Sequence, residues 1–259
     1  MMDMQIDSGT ALRNPGIALP ITRFRASVSN PRNNRLLASL PQREFEQLVP
    51  FLELVNLESG STVHSNRGGV QHIYFPTDCI ISVLHLISDG RSIEVAVIGH
   101  EGLVGASVVM GGYDGFSHAV VQSTGWAYRL NGAVFKKSLT RCEQTLALVL
   151  RYAHSLYLQT AQTAVCSRHH SILQQFVRRL LLGIDRSAST TLVMTHESMA
   201  AKLGVRRESV TEAAGKLQSL DLIHYRRGRI KIVDRARLES LCCECYECER
   251  QEAARLLPI

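Results

Sequence analysis

The residues whose types most directly suggest chemistry are those of the run RRESVTE, from Arg206 to Glu212. On one turn of a helix, a guanidinium can donate two hydrogen bonds to a guanine edge, and a carboxylate can accept one from a cytosine amino group. Ala200 is small enough for two helices to cross closely, and Gly204 allows a sharp turn between them. The apolar positions that accompany the run are Met199, Leu203, Val205, Val210 and Ala213. The pattern predicts a helix-turn-helix, whose second helix enters the DNA major groove, rather than an ordinary helical hairpin.

The second helix of this motif is predicted to begin near Arg206 and to run to about Ser219. Because the first turn of such a helix meets the base edges, the base-reading side chains are expected there and one turn further on. The predicted base-reading residues are Arg207, Glu208, Ser209 and Glu212.

A basic hairpin is predicted directly after the motif. The run IHYRRGRIKIV, from Ile223 to Val233, is typical of two short strands joined at Arg227-Gly228, which would form a wing. The cations of the hairpin, and two more on the second helix, are predicted to bind DNA phosphates. For the hairpin cations, the alternative is that they only make the hairpin charged and exposed. The predicted phosphate ligands are Arg206, Lys216, Arg226, Arg227, Arg229 and Lys231.

The positive charge of the chain is unevenly distributed. The formal net charge is +6 at pH 7, yet Cys166 to Arg237 alone contains fourteen Lys or Arg against six Asp or Glu. The remainder of the chain is therefore slightly acidic. A basic segment that coincides with a predicted helix-turn-helix is typical of a protein that binds the phosphate backbone.

Four of the seven cysteines lie within the segment CCECYEC. Cys242, Cys245 and Cys248 have the CxxCxxC spacing at which thiolates hold zinc or an iron–sulfur cluster. Only Cys243 lies beside them as a fourth ligand, and residues 234–257 are predicted to be helical. A terminal helix with incidental thiols is therefore favoured, and no bound metal is predicted.

The sequence from Leu52 to Leu130 has the pattern of short β-strands separated by glycines. Examples of the predicted strands are His72 to Phe75, Ile80 to Ile87, Ser92 to Ile98, His118 to Ser123 and Trp126 to Leu130. Asp89-Gly90 predicts a hairpin turn, and two short helices are expected around Pro41 upstream. Many short strands with regular turns indicate a β-roll or sandwich.

From Ala133 onward the periodicity is helical for about 30 residues. An apolar stripe along this segment consists of Leu146, Val149, Ala153, Leu156 and Thr160. We expect the stripe to pair with the same helix of a second chain as a coiled coil, with packing onto the chain's own β domain as the alternative. Ser167 to His170 is expected to interrupt the helix, and a further amphipathic helix is expected from Ser171 to about Asp185.

The order of β-roll, long helix, helix-turn-helix and wing resembles the Crp/Fnr family of bacterial transcription regulators. The resemblance is carried by HESMAAKLGVRRESVTEAAGKLQSLDLI, IYFPTDCIISVL and VIGHEGLVGAS. It implies a homodimeric activator or repressor that binds a near-palindromic operator in double-stranded DNA, with RNA polymerase as a protein partner. Glu212 departs from the family, in which a basic residue is common at this position, so a different operator preference is expected there. Arg206 replaces the serine N-cap that is common in the family, which weakens helix capping and adds a phosphate ligand.

The predicted fold class is α+β, with an N-terminal antiparallel β-roll like the cyclic-nucleotide-binding jelly roll, a long dimerisation helix and a C-terminal winged helix-turn-helix. The predicted boundaries are 1–33 for a flexible tail, 34–137 for the β-roll, 138–166 for the dimerisation helix, 167–234 for the DNA-binding domain and 235–259 for a C-terminal helix with the cysteines.

The resemblance also implies an effector pocket in the β-roll. The residues at the corresponding positions are Gly99, Glu101, Gly102, Ser117 and His118. Glu101 falls where cyclic-nucleotide binders of the family hold the ribose, but Ser117-His118-Ala119 replaces their phosphate-binding Arg-Ser-Ala. The stretch from Gly99 to Gln122 contains neither Lys nor Arg, and burying an anionic phosphate without a cation is costly. Cyclic AMP is therefore not expected, the effector is not identified, and no cofactor is predicted.

Other classes of protein are disfavoured by the sequence. It contains no HExxH motif, nucleophile elbow or paired-carboxylate spacing, so an enzyme is not expected. A run of about 18 apolar residues and a signal-peptide pattern are both absent, so a cytoplasmic protein without a membrane partner is expected. The predicted function is a homodimeric, sequence-specific DNA-binding transcription regulator. The alternative is a metal- or redox-responsive DNA-binding switch acting through the C-terminal cysteines.

Overall fold

The N-terminal half of the chain forms two antiparallel sheets. The computed structural model describes residues 30–64, 71–111, 117–187 and 189–257. The strands of this half are β1 (Glu53–Leu57), β2 (Thr62–His64), β3 (His72–Pro76), β4 (Ile80–Leu86), β5 (Ser92–Ile98), β6 (Ser117–Ser123) and β7 (Gly125–Asn131). One sheet has the strand order β1-β7-β3 and the other β2-β6-β4-β5. All five strands named from the sequence are present, and β1 and β2 also lie within the segment from Leu52 to Leu130 that is predicted to form short strands.

The predicted hairpin at Asp89-Gly90 joins β4 to β5. Only Gly90 adopts a positive φ, of 85°, while the Asp89 carboxylate accepts a hydrogen bond from the Arg91 N–H at 3.0 Å. Glycine is needed at this position because it adopts the left-handed conformation without a steric penalty. The turn brings β5, which carries Glu94, to the edge of the four-stranded sheet.

Short helices surround the roll. They are α1 (Arg35–Ala38), α2 (Gln42–Leu48), α3 (Ser107–Met110) and α4 (Gly132–Leu139). Pro41 is the N-cap of α2, as expected for a proline that opens a helix. The predicted tail lies outside the described residues up to residue 29, but Pro31–Asn33 form a 3₁₀ turn and the Arg32 guanidinium lies 4.1 Å from the centre of the Phe45 ring.

The long helix α5 covers Glu143–His169. It differs from the expected 138–166 at both ends, because α4 ends at Leu139 and the chain turns before α5 begins. Ser167 does not interrupt the helix: its hydroxyl donates to the carbonyl of Ala164 within the helix at 2.9 Å. The helix ends at His170, which has an extended backbone. It packs against the roll through Leu148, Val149 and Tyr152.

The C-terminal half contains a separate core around the predicted motif. Its elements are α6 (Ile172–Asp185), β8 (Thr191–Val193), α7 (His196–Leu203), α8 (Arg207–Ser219), β9 (Ile223–Arg226), β10 (Arg229–Ile232), α9 (Arg235–Ser240) and α10 (Glu244–Leu256). The third sheet has the order β8-β10-β9, and its strand β8 was not predicted. The expected helix over 234–257 is divided into α9 and α10, with Cys243 as the N-cap of α10.

These elements confirm the predicted α+β class and the order of roll, long helix and winged helix-turn-helix. Within the described part of the chain, none of the helices is long and apolar enough to cross a membrane.

Candidate DNA-binding interface

The turn between α7 and α8 has the geometry that the sequence predicts. The Thr195 hydroxyl caps α7 by accepting a hydrogen bond from the Ser198 N–H at 3.0 Å. Gly204 ends the helix with a φ of 66°, a conformation that residues with a Cβ rarely adopt. Ala200 is buried where α7 meets α8, so the two helices are held close together.

The predicted base-reading residues lie on the outer face of α8. Arg207 and Glu208 occupy its exposed first turn, and Glu212 is exposed one turn later. Ser209 is half-buried. The Arg207 guanidinium lies 3.9 Å from the carboxylate of Glu197, a surface ion pair that contributes little energy and can be exchanged for a DNA contact. The opposite face of α8 is anchored by Val210, Ala213 and Leu217 in the core.

The predicted wing is present as the antiparallel pair β9 and β10. Arg227 and Gly228 join the strands with φ values of 48° and 72°, as the two central residues of a type I′ turn require. The strand alternation buries Ile230 and exposes the cations on either side of it. The exposed cations of the wing are Arg226, Arg227, Arg229 and Lys231; on α8 and just before it, Lys216 and Arg206 are exposed as well.

A ring stack joins the wing to both helices of the motif. The His196 and Tyr225 rings lie 4.3 Å apart at an angle of 19°, and His196 Nδ1 is 3.0 Å from the Thr211 hydroxyl. Burial, assisted by the positive charge of Arg207, lowers the pKa of His196. The ring is therefore neutral at neutral pH and acts as a packing element of the surface.

Not all of the positive charge of this half faces outward. Arg178, Arg179, Arg186 and Lys202 belong to ion pairs with buried or partly buried carboxylates. The local surplus of Lys and Arg in the sequence therefore overestimates the charge available to DNA. The cations of α8 and the wing, by contrast, are exposed.

Glu94 links the roll to the helix-turn-helix. Its carboxylate is fully buried and forms ion pairs with the Arg179 guanidinium and the Lys202 ammonium, each at 2.8 Å. Burial by itself raises the pKa of Glu94, but the two cations outweigh it and hold the pKa below its usual range. Lys202 also donates to the Ser82 hydroxyl at 2.9 Å and to the Gln122 side chain at 2.7 Å. α7 is thereby fixed to the four-stranded sheet.

A second ion-pair group joins the C-terminal helix to the same junction. Glu249 of α10 accepts from Arg178 at 2.6 Å and from Arg186 at 3.2 Å. Arg186 also donates to Glu101 at 2.8 Å. Burial raises the pKa of Glu249, and the two arginines more than offset that effect, so its pKa is lowered.

Among the described residues, the five predicted effector-pocket positions are not brought together. Ser117 and His118 pair with His85 and Leu84, at one end of β4. Ile98, which precedes Gly99, pairs with Ile81 at the other end of β4. Four residues of strand, or about 13 Å, separate Ile81 from His85. Glu101 is already bound to Arg186, and Gly99 is needed there because a Cβ would lie 2.7 Å from the Arg186 Cβ. Gly102 lies against the ring of Tyr152.

One open cleft lies between the roll and the helix-turn-helix. A cleft of about 620 Å³ is bounded by the β4–β5 hairpin, including Ile87 and Arg91, and by Ala200, Gly204 and Arg206. A bound molecule there would contact both halves of the chain.

The predicted dimerisation stripe faces mainly inward. Val149 is only 3% exposed, and Leu146 and Leu156 pack against the core of the roll. Ala153 is half-buried, while Thr160 is exposed. Leu146, Val149 and Leu156 therefore pack on the chain's own β domain, which was the alternative expectation for the stripe. An exposed stripe follows one residue later, with the three-and-four spacing of a coiled coil. Its members are Ala147, Leu150, His154, Tyr157, Ala161 and Ala164.

The structure groups the cysteines differently from the CxxCxxC spacing. Cys248 is exposed, and Cys242 is half-buried. Cys245 lies instead with Cys243, Cys166 and His170, the last two from the end of α5. The spacing of Cys166 and His170, one helical turn apart, is the sequence feature that could have indicated this cluster. Burial raises the pKa of the Cys166 thiol to about 12.

A β-roll, a long helix and a winged helix-turn-helix with an exposed basic face define the two-domain architecture of Crp/Fnr-type DNA-binding proteins. Residues 174–241 match the family model of the Crp-like helix-turn-helix domain. The global nitrogen regulator of Synechococcus elongatus is 23% identical over 190 residues, which is 70% of this chain and 86% of that protein.

Solved structures show the same fold over most of the chain. A Crp/Fnr-family transcriptional regulator from Eubacterium rectale has a TM-score of 0.64 at 17% identity, covering 81% of this chain and 98% of that chain. FixK2 from Bradyrhizobium japonicum has a TM-score of 0.62 at 15% identity, covering 74% and 98%. The Crp/Fnr resemblance predicted from the sequence is confirmed: the chain carries a Crp-like helix-turn-helix domain within the Crp/Fnr fold.

Proposed function

We propose that the chain is a sequence-specific, DNA-binding transcription regulator that acts in the cytoplasm as a homodimer and catalyses no reaction. The observation that carries the proposal is the exposed first turn of α8 beside the basic wing. Arg207 and Glu208 are exposed and can meet base edges while the opposite face of the helix is held in the core. Phosphate contacts are assigned to the exposed cations, and RNA polymerase is the expected protein partner.

The exposed stripe of α5 supports the homodimer. Leu150 is 51% exposed and Tyr157 is 69% exposed, one heptad apart, and Ala164 follows after another heptad. Large apolar side chains in this spacing are typical of a helix that pairs with its own copy. Two chains joined along α5 would present two identical DNA-reading heads, which fits a near-palindromic operator.

An effector other than cyclic AMP is proposed. Glu101, the candidate ribose ligand, is engaged by Arg186 of the DNA-binding half. Ser117 and His118 lie at the other end of the sheet, and the stretch between Gly99 and Gln122 supplies no Lys or Arg. A cyclic phosphate would thus be buried without a cation from this segment.

The proposal is tested by selecting binding sites for the full-length chain from a pool of randomised duplexes and measuring affinity by fluorescence anisotropy. We expect an enriched near-palindrome and an affinity that falls linearly with salt on logarithmic axes, because bound cations release counterions from DNA. A pool without enrichment, or an affinity independent of salt, contradicts the proposal. Cyclic AMP added to the same assay should leave the affinity unchanged.

A further inference from the structure

Four metal-ligating side chains meet where α5 ends and α10 begins. The Cys166 and Cys243 sulfurs are 3.6 Å apart, and the Cys245 sulfur is 3.4 Å from His170 Nδ1. All four ligand atoms lie within 4.8 Å of one another. The three thiols are buried and His170 is half-buried. The cluster joins residues more than seventy positions apart in the sequence.

The separations are close to those of a tetrahedral zinc site. Zinc–sulfur bonds of about 2.3 Å and zinc–nitrogen bonds of about 2.0–2.1 Å place two sulfurs about 3.8 Å apart and a sulfur and nitrogen about 3.6 Å apart. The two measured contacts differ from these values by about 0.2 Å. The widest pair, at up to 4.8 Å, would need to close by about 1 Å, within reach of side-chain rotation.

The histidine is oriented as a metal ligand requires. Its Nδ1 faces the thiols, while Nε2 lies 3.2 Å from the carboxylate of Glu244, the first residue of α10. Metal-binding histidines ordinarily donate their other ring N–H to a carboxylate or carbonyl, which fixes both the tautomer and the ring orientation. A disulfide between Cys166 and Cys243 would use two of the thiols and would leave the arrangement of His170 and Glu244 unexplained.

We propose that Cys166, His170, Cys243 and Cys245 form a four-ligand site for Zn²⁺. Three thiolates and one imidazole complete the coordination of zinc with protein atoms, so the site is structural rather than catalytic. Each thiol loses its proton to the solvent when it binds the metal. The ion would fasten α10 to the point where α5 leads into α6, the first helix of the DNA-binding half.

The test uses the full-length chain, purified under anaerobic, reducing conditions and titrated with Co²⁺ and then Zn²⁺. We expect one metal ion per chain and the absorption of tetrahedral cobalt with thiolate charge-transfer bands, which zinc should abolish. Cys245→Ser should lose this spectrum, and His170→Asn, at the end of α5, provides a second ligand variant with little risk to the fold.

Cys248→Ser is the matched control, because Cys248 lies on the same helix but is exposed and outside the cluster. It should keep the wild-type spectrum and stoichiometry. Circular dichroism of each variant establishes that the chain is folded. Failure of the folded wild-type chain to bind metal, a Cys166–Cys243 disulfide that persists in the reduced sample, or an unchanged spectrum in both ligand variants overturns the proposal. Because the assay contains no DNA, its outcome is independent of the proposed regulatory function.

Discussion

Lys202, on the first helix of the helix-turn-helix, forms an ion pair at 2.8 Å with the fully buried carboxylate of Glu94 in the four-stranded sheet. Arg179 contacts the same carboxylate from α6. Among the residues that the structure describes, the two cations that neutralise this carboxylate of the roll both belong to the C-terminal half. The two halves are therefore joined by buried ion pairs, which hold α6 and α7 against the four-stranded sheet.

The first prediction concerns this junction. Glu94→Gln should lower the free energy of unfolding by about 3–5 kcal/mol, because two buried cations lose their counter-charge. Urea denaturation followed by circular dichroism measures the change. Glu53→Gln is the control: Glu53 pairs with Arg129 at the surface, so its loss should cost less than about 1 kcal/mol. Equal effects of the two substitutions would contradict the role assigned to Glu94.

The second prediction concerns acid. The pKa values of Glu94 and Glu249 are lowered from an ordinary value of 4.5. The unfolded chain therefore takes up protons at these carboxylates before the folded chain does as the pH falls. Their contribution to stability is complete above the ordinary value and is lost as the pH falls through the folded values. The urea midpoint of the wild-type chain should be steady from about pH 7 to about pH 5 and should then decrease as the pH falls further. The decrease should be less steep for Glu94→Gln, which lacks one of the two carboxylates. Parallel curves of urea midpoint against pH for the wild-type chain and Glu94→Gln would contradict the assignment of this acid sensitivity to Glu94.

The third prediction separates base contacts from phosphate contacts. Arg207→Ala should cost about 1–3 kcal/mol of discrimination at one base pair of each half-site, because a bidentate hydrogen bond to a guanine is removed. Arg229→Ala should weaken binding to every duplex alike and reduce the salt slope by about 0.9 for each phosphate that is no longer neutralised. Anisotropy titrations on single-base variants of the selected site distinguish the two. If Arg229→Ala also relaxed the preference at one base pair, its assignment to phosphate would be wrong.

The fourth prediction concerns oligomeric state. Leu150→Glu and Tyr157→Glu should each convert a dimer into a monomer, because they place charge in the exposed stripe of α5 without touching the core of the roll. Light scattering coupled to size-exclusion chromatography measures the mass. Lys137→Glu, on the exposed face of α4, should remain dimeric. Leu156→Glu should instead unfold the roll, because Leu156 packs against its core.

The fifth prediction concerns the residue that orients His170. Glu244→Gln should weaken Zn²⁺ binding by about 10–100-fold while leaving the tetrahedral cobalt spectrum in place, as expected for a positioning residue that is not itself a ligand. Competition with a chelator of known affinity gives the constant. Glu247→Gln is the control, because Glu247 lies on the same helix and pairs with Arg250 and Gln251 at the surface. An equal loss of affinity in both variants would contradict the role assigned to Glu244.

The sequence predicts the helix-turn-helix and the wing well because the ends of these elements are set by local signals. Thr195 caps one helix, Gly204 ends it, and Arg227-Gly228 turns the wing, each within a few residues of the element that it shapes. The strand β8 was missed because three residues are too few to show alternation, and it is positioned by pairing with β10.

Long-range partners could not be predicted in the same way. Arg179 lies 85 positions from Glu94, and in the sequence it counted as surplus positive charge near a DNA-binding motif. Cys166 and Cys243 are 77 positions apart, so their neighbourhood exists only in the fold. On α5, the stripe beginning at Leu146 and the stripe one residue later both have helical spacing, and only the position of the roll decides which one is buried.

The ion pairs of the junction also set the smallest fragment of the chain that can fold with its charges balanced. The segment matched by the domain model, 174–241, contains Arg178, Arg179 and Arg186. Their carboxylate partners, Glu94, Glu101 and Glu249, all lie outside it. A DNA-binding domain cut at those boundaries would carry these three arginines, and Lys202, without their carboxylate partners. Its affinity for DNA would then include a contribution from cations that the whole protein keeps away from the duplex.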